Sequence, residues 1–544
     1  MTASLASPPR GVPGPPAAAG PRTPSTRLAP TLVAALLAAV YVIVDPPSVD
    51  LAAHLFRAHL FAQEGFGIWN NEWYGGHNTP SYSVLFPAVS AALSPQVAGA
   101  LAATATAAVF EPMARRHFGP PGWLGAVVFG AATAIDLYTG RLALAFGALP
   151  ALAAIAALDR ERIGWASLLA AVSALCSPVA ALFAALAAAG VAAGRLIGER
   201  RLAAVLPGAA VAAAALVPVG ALAIAFPEGG TEPFAPSSLI PLLVIVVAGL
   251  VLVPARRARL RAGIAVYGLA VLAAYLVPSP VGSNIARLGT LLAAPLAALL
   301  LWPRRARLLA LVALPLLYVG WQAPVLDVAA TASDPAVSAA YYRPLLAFLR
   351  AQPGVFRTEI PLTRSHWEAN WVARSFPIAR GWERQLDIAD NAVFYSGRLT
   401  AASYRAWLDR NAVRFVALPD AALDASAQRE AALIRAGLPY LRPVMRSAHW
   451  RVYAVTDATP LATGAATATA MGPSWVALRA RSAGSAVVRV HFSPYWALAG
   501  ASGCVAPDGS ATRVQLRAPG TVRLVIRFAL ARVAARSPRC TGPA

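Results

Sequence analysis

Eleven apolar stretches fill the first 320 residues of the chain. They run Leu28–Val44, Val97–Met113, Leu124–Leu137, Leu142–Leu158, Ile163–Cys176, Val179–Gly194, Leu202–Phe226, Leu239–Val253, Ile264–Val277, Leu288–Trp302 and Leu308–Gly320. A crossing needs about 20 apolar residues, so the shorter stretches are expected to extend beyond these ends. Val84–Leu93 is shorter still and lies among Pro80, Pro87 and Pro95, which predicts a re-entrant or interfacial helix. After Trp321 the period changes. Residues 321–457 mix helical and strand patterns, with a helix expected at Tyr404–Asn411 and a buried strand at Val413–Leu418. Residues 458–544 read as short strands, Trp475–Arg481, Ala486–Phe492, Thr512–Leu516 and Val522–Phe528, between glycine-containing turns. That spacing predicts a small β-sandwich. The expected fold class is a polytopic α-helical membrane protein of about eleven crossings, with a C-terminal extracytoplasmic α/β plus β-sandwich region.

Charge sets the orientation. Arg115-Arg116, Asp159–Arg162, Arg195–Arg201, Arg256–Arg261 and Arg304–Arg307 recur after every second span. The positive-inside rule places them in the cytoplasm. The loops Asp45–Ser83, Asp136–Arg141, Ser177-Pro178, Pro227–Ser238 and Pro278–Arg287 then face outward, as does everything after Gly320. Residues 1–27, rich in Pro, Ala and Ser, read as a disordered cytoplasmic tail. Followed by Leu28–Val44 they resemble a signal peptide, but Asp45-Pro46-Pro47 is a poor cleavage site and many spans follow. Leu28–Val44 is therefore expected to be an uncleaved first helix in the cell membrane.

Composition agrees. The chain is 58% hydrophobic and only 13% charged over 544 residues, too apolar for one soluble domain. All 46 basic residues are arginine and the net charge is +22. Such a balance is compatible with nucleic acid, but much of it sits in short loops between spans, so no nucleic-acid partner is expected. Cys176 lies in an apolar stretch. Cys504 and Cys540 pair if their region is extracytoplasmic, and two unpaired thiols are the alternative.

The richest chemistry lies in the first outer loop. Asp50 and His54 are four residues apart, on one face of an expected helix Asp50–Gln63. A carboxylate there can deprotonate a hydroxyl, and a histidine can orient it. The bland alternative is that Asp50 caps the helix. Both are competent metal ligands, but two ligands do not define a metal site. No cofactor is assigned, and a divalent metal stays an open alternative. Trp69-Asn-Asn-Glu-Trp-Tyr-Gly-Gly-His77 and Pro80-Ser-Tyr-Ser83 combine aromatic faces with amide and imidazole groups. Trp73, His77 and Tyr82 are thus candidates for sugar recognition, against simple anchoring of Trp69 and Trp73 at the membrane interface. Asp136-Leu-Tyr-Thr-Gly-Arg141 and Gly282-Ser-Asn-Ile-Ala-Arg287 each put an arginine where positive charge is disfavoured. Arg141 and Arg287, with Asp136 and Asn284, are candidates for holding a phosphate. Pairing with Asp136, Asp50 or lipid headgroups is the alternative. His366-Trp-Glu-Ala-Asn-Trp371 and Gly381-Trp-Glu-Arg-Gln-Leu-Asp387 either line an acceptor groove or close the gap to the membrane loops. The chain has no P-loop, GxSxG, HExxH or CxxC pair.

These motifs resemble those of GT-C-type bacterial membrane glycosyltransferases, and of multi-span proteins labelled 6-pyruvoyl-tetrahydropterin synthase-related. The resemblance rests on Asp50-Leu-Ala-Ala-His54, Trp69–Tyr74 with Gly75-Gly76-His77, Pro80-Ser-Tyr-Ser83, Thr139-Gly-Arg141 and Ser283-Asn-Ile-Ala-Arg287. Gly381-Trp-Glu-Arg384, Tyr404-Arg-Ala-Trp-Leu408 and Val413-Arg-Phe-Val416 add to it. It covers most of the chain through short motifs. It implies sugar transfer from a polyprenyl-phosphate donor at the outer membrane face to a glycan or lipid acceptor, with Asp50 as catalytic base. Many such enzymes carry an acidic pair in a second outer loop, where this chain offers only Asp136. The alternatives are a transporter or flippase for lipid-linked sugars, expected to carry ionisable groups inside its spans, and a non-catalytic envelope-assembly protein.

The charge pattern makes a direct prediction. Reporter fusions after Arg162 and Arg261 are expected to read as cytoplasmic, and a fusion after Trp321 as extracytoplasmic. A cytoplasmic signal from the last would reverse the orientation.

Overall fold

A computed structural model describes residues 25–541. The expected tail lies outside them except for Ser25–Arg27, which already belong to the first helix. Each apolar stretch forms helix, and among the described residues eight helices are long and apolar enough to cross a membrane: 27–44, 95–118, 142–159, 178–199, 202–225, 258–276, 282–301 and 306–332. Ile163–Cys176 and Pro236–Leu252 are shorter apolar helices. Starts follow local chemistry. At Pro178–Glu199 the Ser177 hydroxyl accepts from Ala180 N, and Pro178 fills the first helical position, where a missing N–H costs nothing.

Two expectations about spans need correction. Leu124–Leu137 is not one helix but two, Trp123–Ala132 and Ala134–Tyr138. Thr133 sits between them, and its hydroxyl bonds back to the Gly130 carbonyl at 2.8 Å, competing with the regular ladder. The last span does not stop at Gly320. It continues through Pro324 to Ala332, 27 residues in all. At 1.5 Å per residue that is about 40 Å, longer than the thickness of a hydrocarbon core. Gly320-Trp321-Gln322 and Pro324 read as a boundary, yet the apolar pattern resumes at Val325-Leu326. Phe86–Leu93 is an eight-residue helix, too short to cross.

The bundle has two chemically distinct ends. At one, Arg116 and His117 bind Asp159 at 3.2 and 3.1 Å, Arg195 reaches Glu161 at 3.5 Å, and Arg257 lies 3.9 Å over Phe118. At the other, Gln96 bonds Asp45 at 2.9 Å, Gly140 packs against Ser48 and Leu51, Gly282 packs against Glu232, and Tyr495 of the C-terminal region donates to the Ala225 carbonyl.

That region has two parts. A four-stranded sheet orders Arg357–Glu359, Val413–Pro419, Trp450–Val455 and Leu441–Arg446, the first pair parallel and the others antiparallel. Helices Ala339–Arg350, Ala401–Arg410 and Gln428–Ala436 accompany it. Beyond Ala462 a five-stranded and a four-stranded sheet enclose one apolar core that includes Val476, Val488, Trp496, Val514 and Leu524. All four expected strands are present. Five more, at 462–464, 466–472, 496–499, 503–508 and 539–541, were not anticipated. Alanine recurs through the second of these and weakens its signal.

Cys504 and Cys540 are bonded, facing each other across the antiparallel pair Gly503–Asp508 and Arg539–Thr541. The basic tail is thus held in the sheet. Closing a loop with sequence separation 36 limits the unfolded chain by on the order of 3–4 kcal/mol. Unreduced digests of protein from its native membrane are expected to yield the linked 504–540 peptide. The double serine variant is expected to lower the sandwich's stability by about that amount. Two free thiols in the native protein would remove this contribution.

Candidate active site

Helix Val49–Glu64 carries the central residues. Ser48 is its N-cap position, makes no side-chain capping bond, and leaves Asp50 at the second helical residue. Asp50 is therefore not the cap. One face of this helix presents Asp50, His54 and Arg57, three to four residues apart. The turn Asp136–Arg141 is seated on its first turn. Gly140 has φ +71°, and a Cβ there would fall 2.1 Å from Ser48 Oγ and 2.9 Å from Leu51 N, so only glycine allows the approach.

Asp50 lies within electrostatic reach of Arg287, Arg141, His366 and Arg57, which come from four separate segments. Burial pushes its carboxyl above the ordinary carboxylate range, and those cations pull it partly back, Arg287 most strongly. Asp136 is buried beside the same arginines, facing Arg141, Arg287 and Asp50. Asp50, Arg141 and Arg287 each keep part of their surface open. Among the described residues, neither Arg141 nor Arg287 forms an ion pair within 4.0 Å or a side-chain hydrogen bond. Their forks are free beside a carboxylate that is itself unpaired.

The candidate residues divide into those that meet at this point and those that do not. Asp50, Asp136, Arg141, Arg287 and Tyr82 converge. Asn284 is buried in the turn before Arg287, where its amide reaches the Pro280 carbonyl at 3.4 Å. His54 is buried between Tyr82 and Phe86, with ring centroids at 5.8 and 5.1 Å. Burial, reinforced by Arg57, lowers its imidazole to about 3, so it is neutral at physiological pH. No hydrogen bond joins it to Asp50, and its Nε2 has no partner. His77 is likewise lowered to about 3 by burial and Arg57.

Trp73 and His77 do not form an open sugar platform. Trp73 is 0% exposed, stacked on Phe56 at 4.5 Å and parallel to His77 at 5.5 Å, with its indole N–H on the Ala369 carbonyl. Trp69 is buried against Trp496 at 5.6 Å. Neither tryptophan anchors the chain at a membrane surface. They bind the loop of residues 45–83 to the C-terminal region, because a large apolar ring with one donor is well suited to a buried seam.

The motifs around His366 and Gly381 close the same seam. Trp367 donates to the Ser48 carbonyl at 3.2 Å and Trp382 to the Val49 carbonyl at 2.9 Å. Gly381 packs where a Cβ would lie 2.6 Å from the Tyr74 ring. Glu383 forms a buried ion pair with Arg57, whose guanidinium also lies 3.8 Å over Tyr82. Arg57 was not singled out from the sequence, and His366 and Glu383 were named only within motifs expected to line an acceptor groove or close the gap to the membrane loops. Arg57 was legible as the next residue on the Asp50–His54 face. Its partner, 326 positions away, was not. Glu232, held by Ser283 at 3.0 Å, also faces Arg287 and Asp50.

Among the described residues, no group of three or more His, Cys, Asp or Glu could hold a metal ion. No known protein-family model matches the chain, and no curated protein sequence matches it.

Removing one partner of a buried ion pair strands the other charge. Glu383→Ala is therefore expected to cost about 3–5 kcal/mol, read as a lower unfolding temperature in detergent, and Glu383→Gln less. Unchanged stability in Glu383→Ala would show that this pair does not hold the seam.

Proposed function

We propose that the protein is an inverting glycosyltransferase that takes a sugar from a polyprenyl-phosphate donor at the outer membrane face. The observation that carries this reading is the unpaired Asp50 carboxylate between the free guanidinium groups of Arg141 and Arg287. Structural arginines are normally paired, and these stand at the bundle end away from the main arginine clusters.

In this reading Asp50 takes the proton of the acceptor hydroxyl. The resulting oxygen attacks the anomeric carbon from the face opposite the phosphate. The bond between that carbon and the phosphate oxygen breaks, and the phosphate leaves with the bonding pair. Arg141 and Arg287 hold its charge. A carboxyl raised above its ordinary range is a stronger base once ionised. Neutral His54 and His77 add no competing positive charge. The acceptor is a cell-envelope glycan or lipid, approaching beneath the C-terminal region, and the donor's tail lies among the spans. The Cys504–Cys540 bond fits an oxidising outer compartment.

Radiolabel transfer from a panel of polyprenyl-phosphate sugars tests the reading. Asp50→Asn is expected to lose about 10²–10⁴-fold in transfer while still binding donor. Wild-type activity is expected to rise with pH through a value above the ordinary aspartate pKa, because only ionised Asp50 accepts the proton. Arg141→Ala and Arg287→Ala are each expected to weaken donor binding roughly tenfold or more, the worth of a charge-assisted phosphate contact. Lysine would restore only part, lacking the bidentate fork. Lipid-linked sugar crossing the bilayer without transfer, unaffected by Asp50→Asn, would favour a transporter instead.

A further inference from the structure

Strand Gly520–Ile526 does not turn directly back into the sandwich. The chain runs out through residues 527–538 and returns as Arg539–Thr541, tied down by Cys540. This finger exposes Phe528 by 47% and Leu530 by 80%. It also carries Arg527, Arg532 and Arg536, with Arg539 at the start of the returning strand, and no acidic residue follows Asp508 in the sequence. Arg539 lies within electrostatic reach of both Arg532 and Arg527. Arg532 and Arg539 spend hydrogen bonds on carbonyls of Pro494, Ser537, Tyr495 and Arg527, which fixes the finger's shape. The side chains of Arg527 and Arg536 have no partner among the described residues. An uncompensated basic cluster around exposed apolar tips is unfavourable in water alone.

Its position supplies the missing partner. The Phe528 ring lies 5.7 Å from Phe226 and 5.2 Å from Tyr495, and the Tyr495 hydroxyl donates to the Ala225 carbonyl. Phe226 ends the helix Leu206–Ala225. That helix belongs to the candidate span 202–225, most of which is not buried within the protein, with Leu216, Val217 and Ile224 exposed. The finger is thus fixed at the end of a helix whose open side suits lipid.

We propose that residues 527–538 form a membrane-contacting finger. Phe528 and Leu530 enter the bilayer surface beside helix Leu206–Ala225, and the arginines engage anionic lipid headgroups. Apolar tips with a basic rim are the features that bind such an interface. This placement is independent of the transferase reading.

A benzophenone-bearing phenylalanine analogue at position 530 tests it, in full-length protein in phosphatidylglycerol nanodiscs. The control is position 521, exposed at the far end of strand Gly520–Ile526. Irradiation is expected to give phospholipid adducts at 530 and not at 521. No adduct at 530, or equal yields at both, would overturn the proposal. Arg527→Ala with Arg536→Ala is expected to cut the yield at 530 by about fivefold per arginine, and to change little in phosphatidylcholine. An unchanged yield in phosphatidylglycerol would reject the headgroup contacts.

Discussion

Two indole N–H groups hold the first turn of helix Val49–Glu64. Trp367 and Trp382 donate to the carbonyls of Ser48 and Val49, the two residues just before Asp50. A single such bond is worth about 1 kcal/mol net. Its effect here is geometric as well. The tryptophans belong to a region that begins after the last span, yet they fix the turn that carries Asp50 just after the first span. Buried Trp73 and the Arg57–Glu383 pair extend the same seam. The converging residues Asp50, Tyr82, Asp136, Arg141 and Arg287 all precede the C-terminal region, which fixes the turn that carries Asp50 and brings His366 within reach.

The seam also explains the separation of the charges around Asp50. Asp136–Arg141 is pressed onto the helix through Gly140, Arg287 rises from the start of its own helix, and His366 arrives with the C-terminal region. Held on rigid elements, these groups stand within electrostatic reach of one another, and among the described residues none of Asp50, Arg141 and Arg287 forms an ion pair within 4.0 Å.

Much of this was legible in the sequence. Each apolar stretch read from hydropathy forms helix, the arginine clusters marked one end of the bundle, and Asp50, Arg141 and Arg287, singled out by spacing and by arginine in unexpected loops, lie near one another. The role of Trp73 was not legible, because an aromatic residue in a polar loop has the same local signature whether it faces a ligand or a folded domain. Glu383 was invisible as a partner of Arg57 for a similar reason. Ion pairs across hundreds of residues leave no periodic trace. The end of the last span was misplaced because glycine and proline punctuate soluble helices more strongly than apolar ones whose neighbours tolerate a kink.

The rigidity of the seam has its own source. Trp382 and Glu383 lie between two arginines that are each clamped by a carboxylate. Arg380 is fully buried and holds Asp387 through both Nε and Nη2, while Arg384 grips Asp424 at 2.9 and 2.6 Å. Bidentate pairs fix orientation as well as distance. Asp424 also meets His366 at 3.5 Å, and His366 in turn faces Asp50. Burying so many charges is a poor route to stability, since a packed apolar core would serve as well or better. It is a good route to a single geometry. The network therefore makes most sense as the device that carries the order of the sheet core through Trp382 and Glu383 to the first turn of the Asp50 helix.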